Sequence, residues 1–177
     1  GSAMVICSDK TGTLTQNQMT AVRIWADGTE YAVTGRGYEP VGGFEMDGAP
    51  VDLANHPTLR NTLWGGALCN DAILEKPADD SGEHRMVGDP TEGAMVVAAA
   101  KAGYWREALE VIYPRVNEIP FDADRKRMTT IHALNSADAD RLSPITAESS
   151  GVPYVAIVKG APDLVLDQCD RVQTDEG

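Results

Sequence analysis

Residues 88–103, GDPTEGAMVVAAAKAG, carry the clearest secondary-structure signal in the chain. Asp89 suits the N-cap of a helix, because its side-chain oxygen can accept hydrogen bonds from the first free amides, and the proline after it suits the first helical position. Glu92 occupies the capping-box position, and Gly103 follows the last turn as a C-terminal stop. The stretch therefore predicts a helix from Asp89 to Lys101.

The signals on either side of this helix do not alternate as β-α-β units. Asp27-Gly28 joins two alternating runs and predicts a β-hairpin. A loop or an irregular edge is predicted for residues 35–52, which hold five glycines and two prolines, and a loop for the polar stretch 75–85. The predicted fold is therefore α+β, a twisted antiparallel β-sheet flanked by helices. The predicted strands are Thr20–Trp25, Glu30–Thr34, Val116–Ile119, Met128–His132 and Tyr154–Lys159, and the other predicted helices are Pro57–Asn70, Trp105–Ile112 and Ala161–Gln168.

The composition excludes several classes of protein. The 177 residues include 27 Asp and Glu against 15 Lys and Arg, a net charge of −12, which disfavours nucleic acid and anionic membranes as partners. The most apolar stretch, Ala94–Ala100, is far shorter than the 18 or more residues of a membrane span. Three scattered cysteines predict reduced thiols. Residues 1–3 resemble an expression scar, and we expect a soluble, monomeric piece of a larger protein.

The stretch SDKTGTLT at residues 8–15 contains the residues best suited to chemistry. It places Asp9 at a strand end, where a carboxylate can attack a phosphoryl group and form an acyl phosphate. Lys10 and a Mg²⁺ ion would screen the phosphate charge, and Gly12 lets backbone amides approach its oxygens. Thr11 stands where a phosphatase of this design has a second aspartate, and a hydroxyl activates water poorly. The pattern favours a persistent aspartyl phosphate.

The string DKTGTLT resembles the phosphorylation signature of P-type ATPases, the cation pumps that pass through an aspartyl phosphate. Three further segments resemble the same family in the same order. They are GDPTEGA, IPFDADRKRM and KGAPD, at residues 88–94, 119–128 and 159–163. The strings CSDKTGTLTQNQMT and CNDA are similar to the bacterial calcium-transporting kind. The resemblance implies a stub of the phosphorylation (P) domain at residues 4–19 and a C-terminally truncated nucleotide-binding (N) domain at residues 20–177.

The resemblance also implies an ATP site and a Mg²⁺ site. Phe121 would stack on adenine, and Glu92 would accept a hydrogen bond from its amino group. The family often has an arginine two residues after the phenylalanine, where this chain has Ala123, so Arg125 would have to replace it. The other implied contacts are Thr91 in the pocket wall, Lys126 at the phosphates, Lys159 and Gly160 at the inner end, Asp9 as the phosphorylated residue, and Asp9 and Thr11 as Mg²⁺ ligands.

Each implied nucleotide contact also has a purely structural interpretation. Phe121 could pack in the core beside Ile119, and residues 125–127 could form a solvated basic turn. Lys159 could extend from its strand into solvent, and a capping box alone would explain Glu92. Structural roles are predicted for Trp64, Cys69 and His132.

The resemblance implies that the parent protein couples ATP hydrolysis to cation transport, and that this part is cytoplasmic. Its partners would be the remaining P, actuator and transmembrane domains. No TGD or GDGxND motif follows. We therefore expect the fragment to bind adenine nucleotide without turnover and Asp9 to remain unphosphorylated. We also expect residues 1–16 to be mobile or non-natively docked. The alternatives are a haloacid-dehalogenase-like phosphohydrolase and a non-enzymatic interaction module.

Overall fold

The strands of the protein pair antiparallel throughout the described part of the chain. The computed structural model describes residues 18–77, 83–134 and 153–176. Its strands form three sheets, ordered β1-β2-β3-β4, β5-β6 and β7-β8-β9. Helices accompany these sheets without β-α-β alternation, which confirms the predicted α+β class. The strands are β1 (Arg23–Ala26), β2 (Thr29–Val33), β3 (Phe44–Met46), β4 (Ala49–Pro50), β5 (Ile73–Glu75), β6 (Arg85–Val87), β7 (Arg115–Asp122), β8 (Arg127–Ala133) and β9 (Tyr154–Gly160).

Two Asp-Gly pairs make the tight turns of the four-stranded sheet. Asp27 and Gly28 have φ angles of 45° and 72°, and Asp47 and Gly48 have 52° and 79°. Two consecutive positive φ angles are what a type I′ hairpin turn requires. The first turn confirms the predicted hairpin. The second lies in residues 35–52, so of the two alternatives predicted there the loop was wrong, because the short strands β3 and β4 form an edge of the sheet.

The prediction of a loop at residues 75–85 was also wrong at both ends. Glu75 closes the three-residue strand β5, and Arg85 opens β6, which pairs with it. Strands of three residues contain too few positions to show the alternation by which a strand is recognised.

The helices begin and end close to the predicted residues. The side chain of Asp89 accepts hydrogen bonds from the amides of Thr91 at 2.8 Å and Glu92 at 3.2 Å, which confirms it as an N-cap. Gly103 has a φ of 82°, as expected for a residue that ends a helix. The last helix is shorter than predicted. The helices are α1 (Pro57–Leu68), α2 (Pro90–Lys101), α3 (Arg106–Ile112) and α4 (Pro162–Leu166).

The main core packs α1 and α3 against the four-stranded sheet. Trp64 and Tyr113 meet edge to face, with ring centroids 5.2 Å apart. Cys69 is fully buried, and so is His132, whose Nδ1 donates to the carbonyl of Tyr113 at 2.9 Å. These positions confirm the structural roles predicted for Trp64, Cys69 and His132. Other core residues are Tyr31, Phe44, Leu59, Leu63, Leu68 and Leu109.

Asp9, Lys10 and Thr11, and with them the predicted Mg²⁺ ligands, lie outside the described residues, as do residues 4–17 of the predicted P-domain stub. Within residues 18–77, 83–134 and 153–176, no group of three His, Cys, Asp or Glu side chains is arranged to hold a metal ion. In the same ranges, no helix has the length and apolar character needed to cross a bilayer.

Candidate functional site

The strand register of the three-stranded sheet places Phe121 in line with Lys159. Strand β7 has one extra residue relative to β8 between Ile119 and Asp122, so Phe121 lies in a β-bulge opposite Met128. Met128 in turn pairs with Lys159 on β9. Because neighbouring strands lie about 4.8 Å apart, the backbones at Phe121 and Lys159 are roughly 10 Å apart across the sheet.

Phe121 faces away from the core. It is 65% exposed, whereas its sheet neighbour Met128 is 2% exposed. Exposure is shared by β7 from Val116 to Asp122, the edge strand of its sheet. The exposure is incompatible with the core-packing interpretation of Phe121 and leaves its ring free to contact a ligand.

Lys159 forms an ion pair with Glu92 at the N-terminal end of α2. The ammonium Nζ of Lys159 lies 2.6 Å from Oε1 of Glu92, and the two side chains are only 19% and 18% exposed. Lys159 therefore does not extend freely into solvent, as its structural interpretation required. Its charge is held between β9 and α2.

Glu92 does not complete a capping box. Its second carboxylate oxygen, Oε2, accepts a hydrogen bond from the amide of Asp71 at 3.1 Å, and Oε1 is bound by Lys159. A capping box would direct this carboxylate back to the amide of Asp89. The capping interpretation is therefore correct for Asp89 and wrong for Glu92, whose carboxylate joins α2 to β9 and to the residues after α1.

The carboxylate of Asp89 accepts hydrogen bonds from the free amides at the start of α2. The hydrogen bond from the amide of Glu92 is the main cause that holds the pKa of Asp89 below its ordinary value. Asp89 is therefore ionised at neutral pH and bound to its own helix. Thr91, exposed in the same turn, lies next in sequence to Glu92.

The basic turn after β7 docks on the end of β9. The amide of Lys126 donates to the carbonyl of Asp122 at 2.7 Å, and the carbonyl of Lys126 accepts from the amide of Ala161 at 3.0 Å. The Lys126 side chain is exposed and that of Arg125 half-buried. The turn thus places two cations at the end of the sheet where Lys159 lies.

Gly160 allows this docking. A Cβ atom at Gly160 would lie 2.5 Å from the Cβ of Arg127 and 2.5 Å from the carbonyl oxygen of Lys126. Such contacts are too short for any side chain, so the close approach at Gly160 is made by the basic turn of the protein itself.

The sequence-predicted residues do not line one enclosed pocket. A cavity of about 770 Å³ is bordered by Lys159 and Gly160 together with residues of β1, α1 and α4, and Phe121 and Glu92 are not among its lining residues. Lys159 contacts Glu92, Phe121 lies in register with Lys159 across β8, and Lys126 lies in the turn beside Gly160. The cavity beside Lys159 is therefore not a cleft shared by all of these residues.

Three further residues support this surface and carry no role from the sequence analysis. They are Asn70 and Asp71, which hydrogen-bond to Glu92, and Arg115, which binds the turn that contains them. The string CNDA contains the first two, but nothing in its pattern indicates that they contact Glu92. Arg115 is distant from both in sequence, and no local signal identifies it.

Comparison with known protein families identifies relatives of this chain. The family model described as "P-type ATPase, cytoplasmic domain N" matches residues 58–177. The chain is 41% identical over 175 residues to "Calcium-transporting ATPase" of Bacillus subtilis, covering 99% of the chain and 18% of that protein. It is 43% identical over 170 residues to "Probable cation-transporting ATPase F" of Mycobacterium bovis, covering 96% and 17%.

A more distant relative comes from an animal. The chain is 35% identical over 170 residues to "Calcium-transporting ATPase type 2C member 1" of Bos taurus, covering 96% of the chain and 16% of that protein. The chain thus spans less than a fifth of the length of each of these three relatives.

Proposed function

This chain belongs to the P-type ATPases, of which it contains the cytoplasmic domain N, and from that premise we propose that it binds an adenine nucleotide at the end of the β7-β8-β9 sheet. The adenine ring lies against Phe121, its amino group faces Glu92, and the phosphates extend toward the basic turn. Thr91 and Lys159 border the base.

The observation that carries this proposal is the alignment of an exposed aromatic ring with a charged pair across three strands. The ring of Phe121 offers an apolar face without a partner in the core, and stacking on a base contributes about 1–3 kcal/mol. Each oxygen of Glu92 accepts one hydrogen bond in the described structure. A carboxylate oxygen has two lone pairs, so Glu92 retains acceptor sites for an amino group.

We propose that the base contributes more to binding than the phosphates do. Arg125 and Lys126 are the cations nearest in sequence to Phe121, and position 123, between Phe121 and Arg125, is an alanine. Exposed charges in water interact weakly because the solvent screens them. We expect a Kd of roughly 0.1–1 mM, equivalent to about −5.5 to −4 kcal/mol, with AMP, ADP and ATP differing little.

For the whole protein we propose coupling of ATP hydrolysis to cation transport through a phosphorylated Asp9. Lys10 would screen the phosphate, and Asp9 and Thr11 would hold Mg²⁺, which would neutralise charge on the transferred group. The names of the relatives favour a calcium or other cation pump. Its P, actuator and transmembrane domains would complete the enzyme in the membrane, and the present chain would bind nucleotide without turnover.

Calorimetric titration of the chain with AMP, ADP and ATP tests the proposed site. We expect saturable binding, and Phe121→Ala should weaken it by roughly 5- to 150-fold for all three nucleotides. Val111→Ala is the control, because Val111 is 79% exposed on α3, outside the β7-β8-β9 sheet and not among the residues that line the 770 Å³ cavity. Absence of any nucleotide binding would favour an interaction module, and Mg²⁺-dependent turnover of a simple phosphate ester would favour a phosphohydrolase.

A further inference from the structure

We infer that Arg115 is a positioning residue for purine selectivity, because it fixes the turn that holds Glu92. The inference rests on the proposed function, in which Glu92 faces the amino group of adenine. It adds a residue that touches neither the base nor Glu92 and acts through the chain between α1 and β5.

Arg115 binds this turn through both terminal nitrogens of its guanidinium group. Nη2 donates to the carbonyls of Leu68 at 3.2 Å and Asn70 at 2.6 Å, and Nη1 donates to the carboxylate of Asp71 at 2.7 Å. Nη1 also donates to Glu118 at 2.8 Å. With a side chain only 17% exposed, Arg115 joins the start of β7 to the end of α1.

The turn in its own right holds Glu92 at two points. The side-chain amide of Asn70, which is fully buried, donates to the backbone carbonyl of Glu92 at 3.0 Å. The backbone amide of Asp71 donates to the carboxylate at 3.1 Å. The carbonyl oxygen of the Asn70 side chain accepts from the amide of Ala72 at 2.9 Å, which holds the amide group in this orientation. A shift of the turn therefore moves both contacts of Glu92.

An arginine is required for this arrangement because its planar fork presents several donors in a fixed geometry. A lysine offers one nitrogen, which cannot reach two carbonyls and two carboxylates on opposite sides. The carbonyls of Leu68 and Asn70 also lie at the C-terminal end of α1, where a positive charge is favourable. Arg115→Lys retains the charge, so its effect reports the geometry.

Purine selectivity is the readout that a purely structural role would not change. AMP presents an amino group to Glu92, whereas IMP presents a carbonyl oxygen at the same ring position. A carboxylate accepts a hydrogen bond from the first and repels the second. We expect the wild-type chain to bind AMP at least tenfold more tightly than IMP, as for a hydrogen bond to a charged group.

The decisive experiment measures the Kd of AMP and of IMP for the wild-type, Arg115→Lys and Arg171→Lys chains. Arg171 is the control, because its side chain is exposed after α4, outside the segment between α1 and β5. We expect Arg115→Lys to reduce the AMP preference to threefold or less, and Arg171→Lys to retain it. An unchanged preference in Arg115→Lys would overturn the inference while leaving the proposed site intact.

The outcomes separate the inference from the proposed function. If the wild-type chain binds neither nucleotide, or binds both equally, the proposed role of Glu92 fails, and this inference with it. If Arg115→Lys does not fold, as judged by circular dichroism, Asp71→Ala replaces it, because that side chain is 61% exposed. Loss of this anchor should reduce the AMP preference two- to threefold, and an unchanged preference contradicts the inference.

Discussion

The carboxylate of Glu92 and the ammonium group of Lys159 are separated by 67 positions in sequence and by 2.6 Å in space. This ion pair joins the first turn of α2 to the C-terminal end of β9. Both side chains are more than four-fifths buried, so each charge depends on the other for compensation. The pair thus connects the stability of the domain with the chemistry proposed for its surface.

We expect Lys159→Met to lower the free energy of unfolding by about 1–3 kcal/mol, because it leaves the Glu92 carboxylate partly buried with only the amide of Asp71 as a partner. Urea denaturation at neutral pH measures the change. Lys126→Met is the control, because Lys126 is exposed and its loss should leave stability within about 0.5 kcal/mol. Equal stability of both variants would contradict an energetic role for the pair.

The combination of Lys159→Met with Glu92→Gln tests whether the two groups act together. The double variant should be less destabilised than the sum of the single variants, since removal of both charges leaves none unpaired. Strict additivity would mean that the two side chains do not interact in solution.

Gly160→Ala should displace the basic turn from the end of β9. The new Cβ would require atoms of Arg127 and Lys126 to move, and overpacking of this kind costs about 1–3 kcal/mol. Gly43→Ala is the matched control, since a Cβ there meets no atom within 4 Å; a similar loss of stability in both variants would contradict the steric account.

His132 should make the protein less stable as the pH falls below about 6.5. Burial lowers the pKa of His132 from its ordinary value of 6.5, and Nε2 accepts from the hydroxyl of Thr130 at 3.0 Å, so the folded state holds the ring neutral. The unfolded chain binds the proton first, so the contribution is complete above pH 6.5 and declines below it. Urea denaturation between pH 7.5 and 5.5 should show this slope in the wild type.

The matched variant is His132→Gln, which does not titrate in this range. It should be less stable than the wild type at pH 7.5 and should show a smaller loss between pH 7.5 and 5.5. Parallel pH profiles for the two proteins would assign the slope to other groups.

Asp175 should stabilise α1 from the end of the described chain. Its Oδ1 accepts from the amide and the hydroxyl of Thr58 at 2.8 and 2.6 Å, while His56, which precedes the helix, makes no side-chain cap. The loss of a cap costs about 0.5–2 kcal/mol, so we expect Asp175→Ala to lower the melting temperature and Asp170→Ala, at an exposed position, to leave it unchanged.

The stabilisation by Asp175 should also depend on pH in the acid range. The hydrogen bond from the hydroxyl of Thr58 is the main cause that lowers the pKa of Asp175 below 3.8. Its contribution is therefore complete above about pH 4 and is lost as the pH falls further. A difference between wild type and Asp175→Ala that persists unchanged at pH 2 would contradict this assignment.

Local sequence patterns correctly predicted the turns and helix caps that depend on a few neighbouring residues. The Asp27-Gly28 turn and the Asp89 cap each depend on a few adjacent positions, and both are confirmed. The same turn signal stands at Asp47-Gly48, but its strands were missed because glycines and a proline surround strands of only two or three residues.

Contacts between distant positions were beyond the reach of such patterns. Arg115 and Asn70 are 45 positions apart, and the string around Asn70 does not indicate which side chain binds its carbonyl. Glu92 was correctly associated with α2, but a local pattern favoured a capping box because the competing partners, Asp71 and Lys159, approach from other elements. The exposure of Phe121 accompanies the position of β7 at the edge of its sheet, which is defined only once β8 pairs with the distant strand β9.

The most direct test of the proposed adenine site is a set of intermolecular nuclear Overhauser effects between AMP and isotope-labelled protein. We predict contacts from the adenine H2 and H8 protons to the ring of Phe121 and to the side chain of Lys159. Contacts confined to Ile24 and Trp25 at the 770 Å³ cavity, or AMP binding without any contact to Phe121, would contradict the account.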